Sequence, residues 1–388
     1  MAKRTLDSFF KPSTTPPKRP KTEPTESTTS TPETSNIPIE DTKPPSQHPS
    51  YPIPITQLPS HIEVGLEHAT PAASPLEINN QPHLDLLYFQ PYIPRPTANE
   101  LFKFLRRELP FYRVQYTARR GDIETQINTP RWTTVFGVDE TSTFIQQDND
   151  LVLLETKTKT PTPKTKYQCT PRPIPACLDL LRKQVEAANA TASGPKNPSY
   201  NFCLVNYYAS GEDSIAFHSD DERFLGPEPN IASLSLGGER DFLMKHKPFS
   251  GGNVNQTTGG CVPGAHAMSG PGGTGVTRSR TAGGTLNTVS PGSRPGTVPR
   301  QIKMSLGSGD MVVMRGATQS NWLHSIPKRK GKGEMTRGRI NITFRRAVVP
   351  GGTNNYYHYN VGSGGMYRWD EVAREMVLRD GKGERATG

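Results

Sequence analysis

Between residues 201 and 347 the chain carries eight short runs of β-branched, aromatic and aliphatic residues. No other feature constrains its fold as strongly. The runs are NFCLVNYY (201–208), SIAFHSD (214–220), NIASLSLG (230–237), DFLMKHK (241–247), QIKMSLG (301–307), DMVVMR (310–315), WLHSIP (322–327) and RGRINITFRRA (337–347). Two amphipathic segments precede them. TANELFKFLRREL (97–109) places Leu101, Phe104, Leu105 and Leu109 at helical spacing behind Thr97 as N-cap, and ACLDLLRKQVEAANA (176–190) repeats the pattern. Helices followed by many antiparallel-looking strands at short spacing predict a mainly β sandwich or barrel with helices packed outside.

Composition is uneven along the chain, and this sets the expected domain organisation. Residues 1–80 are rich in Pro, Ser and Thr, with Phe9, Phe10 and Tyr51 the only aromatics. Such a segment buries too little apolar surface to offset its ordering entropy, so a disordered tail is expected there. Within it, KRTLDSFF (3–10) would bring Leu6, Phe9 and Phe10 to one face of a helical turn, and PPKRPK (16–21) has the makings of a nuclear import signal. The globular part is expected to begin near HLDLLYFQPYI (83–93) and to run to residue 349, with FYRVQYTAR (111–119) as a strand. Residues 248–300, glycine-rich and free of acids, read as a flexible insertion between two strands. The extension 350–388 is aromatic and ends in a helical pattern (Val372, Met376, Val377), which predicts that it packs on the domain.

A formal net charge of +10 favours a polyanionic partner, nucleic acid first. Cys169, Cys177, Cys203 and Cys261 show no metal-finger spacing, so free thiols in a reducing compartment are expected. No apolar run approaches membrane-spanning length and no secretory leader follows MAKRTLDSFF, so a soluble intracellular protein is expected.

The chemistry begins at AFHSDDERFLG (216–226). On a strand or its end, His218 and Asp220 point to the same side and could fill two adjacent positions of a metal. His324, in NWLHSIP, offers a third. Two histidines and one carboxylate with open positions suit non-haem Fe(II) and O₂. A second His-x-Asp pair, His83 and Asp85, has no third candidate beside it and reads as structural. In RGRINITFRR, Arg339 and Arg345 face one side of a strand with Asn341 and Thr343 between them, and two guanidinium forks match a dicarboxylate such as 2-oxoglutarate. A zinc hydrolase would not need those arginines, and a catalytically dead binding module would be expected to lack a ligand.

Taken together, NYYASGEDSIAFHSDDE, IASLSLGGERDFLMKHK, GATQSNWLHSIPK and RINITFR resemble the AlkB family of Fe(II)/2-oxoglutarate dioxygenases, over roughly residues 83–349. The likeness is strongest to the eukaryotic nuclear members that repair alkylated DNA. It implies a double-stranded β-helix (jelly-roll) core with an N-terminal nucleotide-recognition lid at about 111–170. Iron would be held by His218, Asp220 and His324. The co-substrate would meet Arg339, Arg345, Asn341 and Thr343, with Asn206 and Tyr208 on a neighbouring strand. Asp221 and Glu222 would face a cationic methylated base. Arg131, in PRWTTVFG, would contact the nucleic acid strand, and Tyr116 would be the wedge that fills the gap left by a flipped base. Tyr167 matches the first lid aromatic, whereas Cys169 stands where the family places a stacking aromatic.

The implied reaction is oxidative demethylation of 1-methyladenine or 3-methylcytosine in DNA, with formaldehyde released. Single-stranded DNA or RNA is the alternative substrate. KRTLDSFF resembles the peptide that binds the sliding clamp, with Lys3 in place of the usual glutamine. The expected protein is therefore a nuclear monomer that binds alkylated DNA, contacts the clamp through Leu6, Phe9 and Phe10, and has no membrane partner.

Overall fold

The computed structural model describes residues 43–68, 74–120, 123–148, 150–193, 199–248, 299–330, 338–361 and 364–379. Leu6, Phe9, Phe10, the basic cluster 16–21, Cys261 and nearly all of the 248–300 insertion lie outside the described residues. The first elements are α1 (Ser60–Glu67), β1 (Leu76–Ile78), β2 (Leu86–Phe89) and α2 (Arg95–Glu108). Five strands follow, β3 (Phe111–Tyr112), β4 (Gln115–Arg120), β5 (Ile123–Asn128), β6 (Trp132–Gly137) and β7 (Ser142–Gln147), then β8 (Asp150–Glu155) and α3 (Ala176–Ser193). The second half opens with β9 (Phe202–Tyr208), β10 (Ile215–His218), β11 (Ile231–Gly237), β12 (Arg240–His246), β13 (Ile302–Leu306) and β14 (Met311–Met314). It closes with α4 (Thr318–Asn321), β15 (Trp322–Ile326), β16 (Arg339–Arg345), α5 (Pro350–Asn360), β17 (Met366–Asp370) and β18 (Glu375–Arg379).

Two antiparallel sheets form the core, as the jelly-roll expectation requires. Ten strands pair in the order β1-β2-β14-β11-β16-β9-β6-β3-β17-β18, and four in the order β10-β15-β12-β13. Alternation along each strand decides which face a side chain enters. Val205, Tyr207, Ile340, Ile342 and Phe344 join α1, α2 and α3 in one apolar cluster on the outer face of the large sheet. Leu204, Tyr208, Phe242, Met244, Val312 and Trp322 form a second cluster, drawn from both sheets. Covered on both faces, β9 and β16 are buried along their whole length. That burial is why their sequences read as nearly continuous strand-formers.

Several expectations about boundaries are corrected. The tail does not extend to residue 80: Ile55, Leu58, Ile62 and Leu66 are core residues, and Ser46 and Ile55 exchange backbone hydrogen bonds of 2.8 and 2.9 Å. Ile62 and Leu66 sit one turn apart on α1, so a few apolar residues at helical spacing suffice once a prepared surface exists to receive them. Each contributes roughly 1.5–3 kcal/mol, which the average composition of the segment concealed. Helix α2 starts at Arg95, and its N-cap position is Pro94, not Thr97. Instead, the Thr97 side chain lies against Gly65 of α1, where an added Cβ would meet its hydroxyl at 2.9 Å.

The run 111–119 is two strands, β3 and β4, that belong to different sheets. Lid region 111–170 contains the β4–β5 and β7–β8 hairpins. The extension after 349 does pack on the domain. Its terminal pattern, however, is the β17–β18 hairpin and not a helix, and Val372 is 95% exposed at the turn. Tyr367 and Trp369 pack against the outer cluster, and Trp369 stacks on the Arg106 guanidinium at 3.8 Å. Strand pairing with β3 outweighs the weak helical periodicity.

Candidate active site

His218 and His324 are register partners on β10 and β15 of the small sheet, which brings their rings to 4.2 Å between centroids. Asp220 follows two residues after His218, where the strand has ended. One ligand-capable atom from each of the three side chains lies within 4.8 Å of the others. His218 Nδ1 is 2.9 Å from the carbonyl oxygen of Ala216. Nδ1–H must therefore donate, leaving Nε2 as the ring's free donor atom for a metal. His324 turns Nε2 toward Asp220 Oδ2 at 3.8 Å, and Phe242 stacks on its other side.

Burial sets the charge states. It pushes His324 down to about 3, helped by the neighbouring His218, and also lowers His218. Both imidazoles are neutral at physiological pH, the form that ligates metal. Burial opposes the charged form of Asp220. The Arg345 guanidinium and the two histidines outweigh it and hold the carboxyl below its ordinary value. Arg345 Nη2 donates to Asp220 Oδ2 at 2.8 Å, and the backbone N–H of Asp220 donates to Gln319 Oε1 at 2.9 Å.

Strand β16 supplies the second half of the site. Arg339, Asn341, Thr343 and Arg345 alternate with the outward apolar residues, and β9 pairs Tyr208 with Arg339 and Asn206 with Asn341. Arg339 is 1% exposed, yet only its Nη2 is satisfied, by Ser235 Oγ at 2.9 Å. Its Nε and Nη1 are buried without an acceptor. Burial lowers this guanidinium to about 10. Buried, unpaired charged donors cost several kcal/mol, so the strand is built to receive an anion. Donor set and orphaned guanidinium together fit a divalent metal with a carboxylate co-substrate. Asn341 is already committed, since its amide donates to Ser233 Oγ at 2.8 Å and to the Leu234 carbonyl, and Thr343 donates to Asn341 Oδ1 at 3.3 Å.

The expected base-facing residues separate by position. Glu222 is half-buried beside Asp220, and desolvation with the Asp220 charge raises its carboxyl; Oε1 accepts from Tyr356 and Oε2 has no partner. Asp221 is instead an ion-pair partner of Lys247 at the surface, its side chain 42% exposed. Arg131 reaches inward, its Nε donating to Asn206 Oδ1 at 3.1 Å. Tyr167 is buried and donates to Asp139 Oδ2 at 2.7 Å, a packing contact. Cys169 lines a cleft of ≈ 520 Å³ with His48, Arg172 and Tyr357, and no residue of the triad lines that cleft. Tyr116 is on β4 opposite Ile127. Asp85 forms an ion pair with Arg315 at 2.7 Å, in keeping with its structural reading.

Sequence reasoning missed Gln319, Ser235 and Tyr356. The first two lie within motifs already singled out, GATQSNWLH and IASLSLGG, but their polarity alone gave no signal of what they touch.

Among known proteins, the model of the 2OG-Fe(II) oxygenase superfamily matches residues 85–345. The chain is 38% identical over 146 residues to the DNA oxidative demethylase ALKBH2 of Arabidopsis thaliana, covering 38% of this chain and 37% of that protein. It is 30% identical over 180 residues to the mouse protein of the same name, covering 46% and 54%. The alpha-ketoglutarate-dependent dioxygenase alkB homolog 3 of Rattus norvegicus is 31% identical over 147 residues, covering 38% and 35%. The chain thus spans about half, or less, of the length of these relatives. With the matched region containing the triad and both arginines of β16, the chain belongs to the 2OG-Fe(II) oxygenase superfamily.

Proposed function

We propose that this protein is an Fe(II)/2-oxoglutarate-dependent oxidative demethylase that removes N-methyl groups from bases such as 1-methyladenine and 3-methylcytosine in DNA, repairing them by direct reversal. The carrying observation is the juxtaposition of the His218–Asp220–His324 cluster with the orphaned Arg339 guanidinium. The names of its relatives support the nucleic-acid substrate.

When bound, iron and 2-oxoglutarate with O₂ supply the oxidation of an N-methyl carbon, whose hydroxylated form is lost as formaldehyde. The chain's own part is binding and charge. His218, Asp220 and His324 would hold the metal. Arg339 would take a carboxylate of the co-substrate, with Tyr208 and Asn206 beside it. Arg345 neutralises Asp220 from behind and keeps its carboxylate oriented. Glu222, with one buried oxygen unpartnered, is the acid best placed to meet a cationic base. Arg131, whose Nε is bonded to Asn206, stays the candidate contact for the nucleic acid strand. Tyr116 stays the candidate wedge, and Tyr167 and Cys169 the candidate lid residues.

A duplex base must leave the stack to be reached, and a damaged, unpaired base is the cheapest to extract. The basic cluster at 16–21 supports residence in the nucleus. KRTLDSFF supports sliding-clamp binding through Leu6, Phe9 and Phe10, and a monomer suffices for both.

The decisive experiment offers 1-methyladenine in single- and double-stranded oligonucleotides with Fe(II) and 2-oxoglutarate. Formaldehyde release that requires 2-oxoglutarate is expected, and His218→Ala should abolish it while leaving the thermal transition in place. Release from neither substrate would overturn the reading, and release from the single strand alone would reassign the substrate.

A further inference from the structure

We propose that Tyr356, on α5 of the C-terminal extension, is a positioning residue of the active site that fixes Arg345 and Glu222 around Asp220. Its hydroxyl donates to Glu222 Oε1 at 2.9 Å and accepts from Arg345 Nη1. The other end of the same guanidinium donates to Asp220 Oδ2 at 2.8 Å. One phenol therefore ties a residue of the metal cluster, through its arginine, to the acid best placed to meet the base. The family match ends at Arg345, so this contact comes from a segment beyond it.

Position on α5 is secured independently of the hydroxyl. The Tyr356 ring packs against Phe202 and Phe224, with centroids at 5.5 and 5.1 Å, and the Arg345 guanidinium carbon lies 5.0 Å from its centroid. Gly352, one turn earlier, lets the helix approach this closely: a Cβ there would fall 1.7 Å from Phe224. Thr353 donates to Asp139, and Tyr357 donates to the carbonyl of Gly137 at 3.0 Å. Asn354 Oδ1 accepts from the backbone N–H of Gln168 at 2.9 Å, so α5 also holds the 167–169 segment of the lid.

Without the hydroxyl, Arg345 Nη1 and Glu222 Oε1 both lose their partner, and the Arg345–Asp220 bond alone fixes the guanidinium between two carboxylates. Arg345 Nε and Glu222 Oε2 already lack partners, so each has a vacant bond through which it could rearrange. Charge-assisted hydrogen bonds are directional, and an Arg345 turned toward Glu222 would leave Asp220 less well oriented and alter the field felt by a bound dicarboxylate.

This inference rests on the co-substrate reading of the site, and its test separates the two. The full-length protein is titrated calorimetrically with 2-oxoglutarate in the presence of Mn(II), without turnover, as wild type, Tyr356→Phe and Tyr359→Phe. Tyr359 is on the same helix and 46% exposed, which makes it the matched control. Tyr356→Phe keeps the ring packing and removes only the hydroxyl. Its dissociation constant for 2-oxoglutarate should rise about tenfold, the scale of one hydrogen bond to a charged group, with the melting temperature close to that of Tyr359→Phe. In turnover, KM for 2-oxoglutarate should rise more than kcat falls. Unchanged binding by Tyr356→Phe, or a loss matched by a fall in melting temperature, would overturn the proposal. Failure of the wild type to bind would overturn the co-substrate reading and this inference with it, and would show before any variant was compared.

Discussion

Asp220 is held from two directions, by Arg345 at its carboxylate and by Gln319 at its backbone N–H. The second contact fixes the short connection between β10 and the Arg223–Leu225 turn, so that Asp220 returns toward His324. Partners of this kind typically contribute 10–100-fold to metal affinity. Gln319→Ala should therefore weaken Mn(II) binding by about tenfold, measured by titration, with secondary structure unchanged. Gln319 lies five residues before His324 in a motif legible from the sequence, yet nothing in its local context shows that its oxygen meets Asp220 on another element. The ligands themselves were legible, because His, Asp and Arg carry their chemistry with them. Asp221 and Glu222 were not distinguishable by type, and it is Lys247, just past β12, with Ser219, that holds Asp221 at the surface. Cysteines behave as their burial dictates. Cys177 and Cys203 are fully enclosed, and burial pushes the Cys177 thiol up to about 12 and raises that of Cys203 further. The thiolate is the reactive form. Neither should be alkylated by iodoacetamide at about pH 8 until the protein unfolds, as peptide mass mapping would show.

At the scale of elements, strands were easier to read than their ends or partners. The run 201–208 is β9 to within a residue, and RGRINITFRRA contains β16 whole. Buried strands in a two-layer core carry the pattern in every residue. Edge and lid segments do not, which is why 111–119 divides between two sheets and why 372–377 belongs to a hairpin. Gly137 shows how a strand end is enforced. It closes β6 with φ of 102°, and a Cβ there would sit 2.1 Å from the carbonyl oxygen of Asn201. Gly137→Ala should destabilise the fold by about 2 kcal/mol or more, from backbone strain and steric overlap together, read as a lowered midpoint in urea. Because the PRWTTVFG motif ends at this glycine, its conformational need is part of what the motif encodes.

For the whole molecule, the described core is one assembly from Lys43 onward, and the extension past 349 is integral to it. Strands β17 and β18 complete one end of the ten-stranded sheet through the two-residue β3, and α5 covers the inner end of β6 and the 223–225 turn. Removing residues 350–388 would uncover Tyr112, Trp132, Phe202 and Phe224 at once. Several side chains at roughly 1.5–3 kcal/mol each are at stake. A chain ending at Val349 should melt more than about 10 °C lower than the full chain or fail to fold cooperatively, as calorimetry would show. The sequence by itself determined the class of fold and which residue types could carry metal and co-substrate chemistry, because strand patterning is local and ligand chemistry belongs to residue types. Tertiary structure alone decided that the proline-rich segment 43–68 joins the core, that Glu222 and not Asp221 turns inward, and that a tyrosine from the last helix reaches Arg345. Those outcomes depend on which surface is left uncovered when the sheets close, and no stretch of chain carries that information alone.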